Sequence, residues 1–130
     1  NFQKKFTIRG LHFQIGKMSQ SKLIRVIRGS IYDVVVDIRK NSSTYGKYMS
    51  FKLKKNDGKL LYVSKNFAHG FCTLENNTEI FYKVSKYYSK LHEKTIIWND
   101  EKLNIKWPNK NKPTLSDKDL KGLKFYDINK

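Results

Sequence analysis

The chain has 130 residues, enough for one domain with a real hydrophobic core. Its formal charge is +16, yet 8 Tyr, 8 Phe and 2 Trp are too many aromatics for a disordered basic tail. The lysines are scattered and form no block, so the charge reads as a solvated basic surface, or as a field that gathers a small anionic substrate, rather than a dedicated nucleic-acid site.

Residues 2–14 read as one or two extended pieces, with Phe2, Phe6, Ile8 and Phe13 as apolar positions. A polar loop around Gly16 follows. Lys22 leads into an apolar run to Arg28, Gly29-Ser30 signals a tight turn, and Ile31 to Ile38 follows as a second strand, so the pair reads as a hairpin. After the loop from Asn41 to Gly46, Tyr48 to Leu53 alternates with period two. Asn56-Asp57-Gly58 is the strongest turn signal, and Leu60 to Val63 reads as the returning strand. His69 to Leu74 and Glu79 to Val84 are two more strands. Thr95 to Trp98 is a short apolar piece, and Ser116 to Leu123 reads as a brief helix with Ser116 as N-cap. Short, evenly spaced strands predict an all-β sandwich or closed barrel with a short C-terminal helical segment. No linker divides the chain, so residues 1–130 are expected to form a single domain.

Cys72 is the only cysteine; it reads as a small core residue, and the absence of a disulfide framework suits a reducing cytoplasm. No apolar run approaches the roughly 20 residues that cross a bilayer. The first residue is Asn1, so a processed or trimmed N-terminus is compatible with the chain.

The three histidines, His12, His69 and His92, show no metal-binding spacing, and no G-x-S-x-G elbow is present. Proton transfer suits these residues better. A histidine base with its far nitrogen on a carboxylate, a cation for an oxyanion and a tyrosine acid together make a carbon acid–base site.

Gly10-Leu11-His12-Phe13-Gln14, Lys22-Leu23-Ile24-Arg25-Val26 and Asp37-Ile38-Arg39-Lys40 resemble the dTDP-4-dehydrorhamnose 3,5-epimerase family. So do Asn66 to Phe71, Tyr82-Lys83 with Tyr87-Tyr88, Ile97 to Asp100, Ile105 to Pro108 and Leu115 to Asp119, in order over about residues 5–120. The resemblance implies a cupin (double-stranded β-helix, jelly-roll) barrel, usually a homodimer. It also implies an enzyme without metal or cofactor that epimerises a nucleotide-diphosphate 4-keto-6-deoxyhexose at C3 and C5.

By that resemblance His12 is the base, Asp119 its dyad partner, Lys22 the cation facing the enolate oxygen and Tyr82 the acid on the opposite face. Arg9, Gln14, His69, Tyr88, Glu93 and Lys118 are the expected substrate-binding residues: Arg9 for the diphosphate, Tyr88 for stacking on the base, Glu93 for the nucleoside or sugar, and Gln14 as support. Asp33 is expected to pair with Lys22 or His69, and His92 to be an exposed bystander. Each of these residues also has a structural reading, as an inward barrel side chain, a helix cap or a surface lysine.

One departure stands out. Family members carry several dozen residues before the first motif, including a strand that crosses to the partner subunit, and almost all of that segment is missing here. The alternatives that remain are an epimerase acting on one centre or on another keto-sugar such as a heptose, and a non-catalytic sugar-nucleotide-binding cupin.

Overall fold

A computed structural model describes residues 1–130. Eight strands form, β1 (Ile8–Gln14), β2 (Lys22–Arg28), β3 (Ser30–Asp37), β4 (Tyr48–Lys54), β5 (Leu61–Val63), β6 (Phe67–Thr73), β7 (Glu79–Val84) and β8 (Glu93–Thr95), followed by one helical turn, α1 (Asp117–Leu120). They make a five-stranded sheet ordered β4-β3-β6-β1-β8 and a three-stranded sheet ordered β5-β2-β7, with antiparallel pairing throughout. The two sheets face one another as a jelly roll, the architecture that the resemblance implies.

The burial patterns explain the layers. β3 is buried along almost its whole length, because it lies inside the five-stranded sheet and both faces are covered. Its Ile31 faces the three-stranded sheet and packs with Ile24, Val26, Leu53, Val63 and Phe71. Its Val34 and Val36 face the other way, into a second core with Leu11, Phe13, Ala68, Ile96, Leu103, Phe125 and Ile128. The C-terminal third of the chain therefore covers the outer face of the five-stranded sheet. β2 differs: Ile24 and Val26 are buried while Leu23, Arg25 and Ile27 face outward, which is the alternation of a one-sided strand.

Two expected hairpins do not form. β2 and β3 lie in different sheets, as do β4 and β5. Only Gly29 separates β2 from β3, too few residues for a two-residue hairpin turn, so the chain turns a corner between sheets instead. Gly29 has φ +78, and a Cβ there would strike Thr78. The Asn56-Asp57-Gly58 turn is real but carries the chain from β4 across to β5. At the C-terminal end, β8 begins at Glu93 rather than at Thr95, and the helix stops at Leu120. Residues 2–7 form no strand and are tied by bridges from Phe2 to Thr78 and from Thr7 to Thr114.

Candidate active site

Between the sheets, toward one end of the sandwich, lies a cavity of about 430 Å³, within the range of small-molecule sites. Each sheet contributes one wall. Arg9, His12, His69 and Phe71 come from the five-stranded sheet, and Lys22, Tyr82 and Val84 from the three-stranded one. Tyr88, Glu93 and Lys118 complete it, with Phe2 and Gln20.

Arg9 and His12 are three residues apart, so in a regular strand they would point to opposite faces. The pairing of β1 with β6 slips between them: Arg9 lies opposite Phe71, whereas His12 lies opposite His69. This bulge turns both side chains toward the cavity. Gly10, at φ +118, makes it possible. A Cβ there would lie 2.7 Å from the Cα of Gly70 and from the carbonyl oxygen of His69.

His12 Nε2 lies 2.6 Å from Oδ1 of Asp119, which is fully buried. Burial works to raise the Asp119 pKa. The hydrogen bond and charge of His12, the Gly10 N–H 3.2 Å from Oδ2 and the neighbouring Ser116 outweigh it and hold the carboxyl below its ordinary range. Ser116 is the N-cap of α1, where its Oγ accepts from the Asp119 N–H, so the cap also fixes the carboxylate. An ionised partner fixes the imidazole tautomer and leaves Nδ1 of His12, which has no protein partner, to exchange a proton.

His69 makes a second dyad: its Nε2 is 2.8 Å from Oδ2 of the fully buried Asp33. Of the two partners expected for Asp33, His69 takes the hydrogen bond, while Lys22 feels the charge without forming an ion pair. Burial lowers the Lys22 pKa from 10.5; Glu93 and Asp33 oppose that, and Lys118 reinforces it. Arg9 spends one N–H on the Ile8 carbonyl, with its guanidinium over the Phe2 ring. Glu93 and Lys118 are bonded to each other at 2.6 Å, and the Lys118 ammonium lies 5.7 Å from the centre of the Tyr88 ring. The site therefore holds cations against both walls and an imidazole backed by a buried carboxylate. That arrangement suits an anion and the movement of a proton at carbon.

A family model described as dTDP-4-dehydrorhamnose 3,5-epimerase matches residues 1–127. The chain belongs to the dTDP-4-dehydrorhamnose 3,5-epimerase family. It is 46% identical over 123 residues to the dTDP-4-dehydrorhamnose 3,5-epimerase of Shigella flexneri, covering 95% of this chain and 67% of that protein. With the Salmonella typhimurium enzyme it shares 46% over 116 residues, 89% of this chain and 63% of the relative. The chain thus spans about two thirds of the relatives it matches. Among solved structures, the Bacillus anthracis dTDP-4-dehydrorhamnose 3,5-epimerase with TDP and PPi bound superposes with a TM-score of 0.92 at 46% identity, covering 95% of this chain and 70% of that one.

Within this family member, eight of the ten residues singled out from the sequence line the cavity: Arg9, His12, Lys22, His69, Tyr82, Tyr88, Glu93 and Lys118. Asp119 stands behind His12. Gln14, expected among the substrate-binding residues as support, lies behind the cavity: its buried amide is spent on three main-chain groups, at Met18, Tyr87 and Ser89. His92 is half-buried rather than exposed, with Nδ1 2.6 Å from Ser89 Oγ. Phe2, Gln20, Phe71 and Val84 were given no role from the sequence. Strand alternation reaches two of them, since Phe71 lies two residues after His69 and Val84 two after Tyr82. Phe2 reads only as an apolar position of the first extended piece, and nothing in the sequence marks Gln20. No three His, Cys, Asp or Glu side chains cluster as metal donors.

Proposed function

We propose that this chain carries the active site of a metal-independent epimerase acting on a nucleotide-diphosphate 4-keto-6-deoxyhexose, inverting C3 and C5. The observation that supports this most directly is the opposition of His12 and Tyr82. They stand on different sheets, on facing walls of one cavity, so a sugar ring held between them meets a base on one face and an acid on the other.

In this reading the His12 imidazole, at the ring nitrogen not held by Asp119, takes the proton from the carbon next to the ketone. The C–H electron pair becomes the enolate double bond, and the ketone π pair moves onto oxygen. The Lys22 ammonium, unpaired and partly desolvated, lies on the opposite wall to offset that charge. The Tyr82 hydroxyl then returns a proton to the other face, which inverts the centre. Tyr82 is 57% exposed, so solvent can restore its proton. Arg9 and Lys118 suit the diphosphate. A relative from Legionella pneumophila, a dTDP-6-deoxy-D-glucose-3,5-epimerase 35% identical with a TM-score of 0.91, was solved in complex with dTDP-4-keto-L-rhamnose; the match covers 97% of this chain and 66% of that one. It supports the same substrate class here.

Solvent deuterium incorporation into dTDP-4-keto-6-deoxyglucose, followed by NMR, tests the proposal. Exchange is expected at C3 and C5, and His12→Ala should slow it by about a hundredfold or more. Exchange at one carbon would make the enzyme a single-centre epimerase. Tight binding with no exchange in either protein would leave a non-catalytic sugar-nucleotide binder.

A homodimer accompanies this reading. The outer face of the three-stranded sheet supports it, with Leu23, Ile27, Tyr62 and Phe81 all substantially exposed on one surface.

A further inference from the structure

We propose that Gln14 is a positioning residue that fixes Tyr88 as the platform for the nucleotide base. The inference rests on the nucleotide-binding reading above and adds to it the residue that sets the affinity. Gln14 is two positions beyond His12 on β1 and is 5% exposed. Both donors and the acceptor of its carboxamide are engaged: Nε2 donates to the carbonyl oxygens of Met18, at 2.8 Å, and Tyr87, at 3.1 Å, while Oε1 accepts from the N–H of Ser89, at 2.8 Å.

The bonds to Tyr87 and Ser89 straddle Tyr88. One buried amide therefore grips the backbone on either side of the residue whose ring lines the cavity, while the neighbouring Tyr87 ring is 89% exposed and points away into solvent. Residues 85–92 form no strand between β7 and β8, so they are ordered by individual hydrogen bonds rather than by a sheet ladder. Gln20 adds a second amide, donating to the Lys86 carbonyl at 2.6 Å, and Ser21 and Ser85 exchange two further bonds. A base stacked on Tyr88 gains only if the ring is already held, because ordering a loop on binding subtracts from affinity. Gln14 makes no hydrogen bond to His12 or Tyr82, so its effect falls on binding rather than on proton transfer.

Two replacements test this. Gln14→Glu keeps the shape but turns the donor toward two carbonyls into an acceptor. Gln14→Met keeps the volume and removes every hydrogen bond, and it serves if the buried carboxylate prevents folding. Calorimetric titration with dTDP is expected to show affinity about tenfold to a hundredfold weaker in either variant. The exchange reaction should show KM raised with kcat within about threefold of wild type. In a double-mutant cycle, Tyr88→Ala should cost little more once Gln14 is replaced, because both changes remove one interaction. Unchanged dTDP affinity, a kcat that falls as far as KM rises, or additive losses in the cycle would each overturn the assignment. A wild-type chain that fails to bind dTDP would overturn the nucleotide-binding reading itself, and that arm needs no Gln14 variant.

Discussion

At the scale of single residues, the site is governed by how each charge is held. Asp119 is buried and kept ionised by donors, whereas Lys22 is half-buried without an ion pair, so its ammonium is the less comfortable of the two. The sign of the consequence follows. Between the lowered Lys22 value and 10.5 the unfolded chain binds more protons than the folded one, so this residue makes stability rise with pH in that window. On the proposed mechanism, the ammonium set against the enolate loses its charge over the same window, so activity is expected to fall as stability grows. The exchange rate is therefore expected to decline on the alkaline side at a pH below 10.5. Lys22→Arg, whose guanidinium stays charged, should push that decline to higher pH even if the peak rate drops. A pH profile of exchange for both proteins checks this, and an alkaline limb that does not move would assign it to another group.

Strands and turns decide whether those residues meet. The β1 bulge brings Arg9 and His12 to one wall, and it depends on the close approach of Gly10 to Gly70. Gly10→Ala must both strain a positive φ and push β6 away at His69. A loss of roughly 2–4 kcal/mol is expected, read from the denaturant midpoint, with exchange slowed as well because His12 and His69 shift. A near-neutral Gly10→Ala would mean that the strands can part without cost. The same element shows what the sequence could convey. Period-two alternation and turn residues mark most strands of the sandwich, and the ordered motifs point to the cavity residues. Partners of strands are another matter. The turn signals at Gly29-Ser30 and Asn56-Asp57-Gly58 are the same whether a chain doubles back within a sheet or crosses to the next. Only the packing of β2 and β5 against the opposite sheet decides between these, and that information is spread over residues far apart in sequence. Gln14 was obscured for a similar reason. Its place near His12 suggests a supporting role, but the loop it supports lies 73 residues later.

For the whole molecule, partnership turns on the three-stranded sheet. The five-stranded sheet has both faces covered, the inner by its partner sheet and the outer by the C-terminal segment. The three-stranded sheet has only one, and Tyr62 and Phe81 remain 63% and 53% exposed on the other. Such a surface loses free energy to water unless something covers it. A second copy brings a like-charged surface, since each chain carries +16, so apolar contact must outweigh repulsion. Two consequences distinguish this from a bare monomer surface. Added salt should strengthen the self-association by screening the net charge, and Phe81→Glu should abolish it by placing a carboxylate in the apolar contact. Phe81 pairs with Arg25 on β2 and faces away from the cavity, so the variant should still bind dTDP at its own site. Sedimentation equilibrium at low and high salt reads both effects. A wild-type chain that stays monomeric at every salt concentration would refute the dimer, and a dimer that survives Phe81→Glu would move the interface to another face.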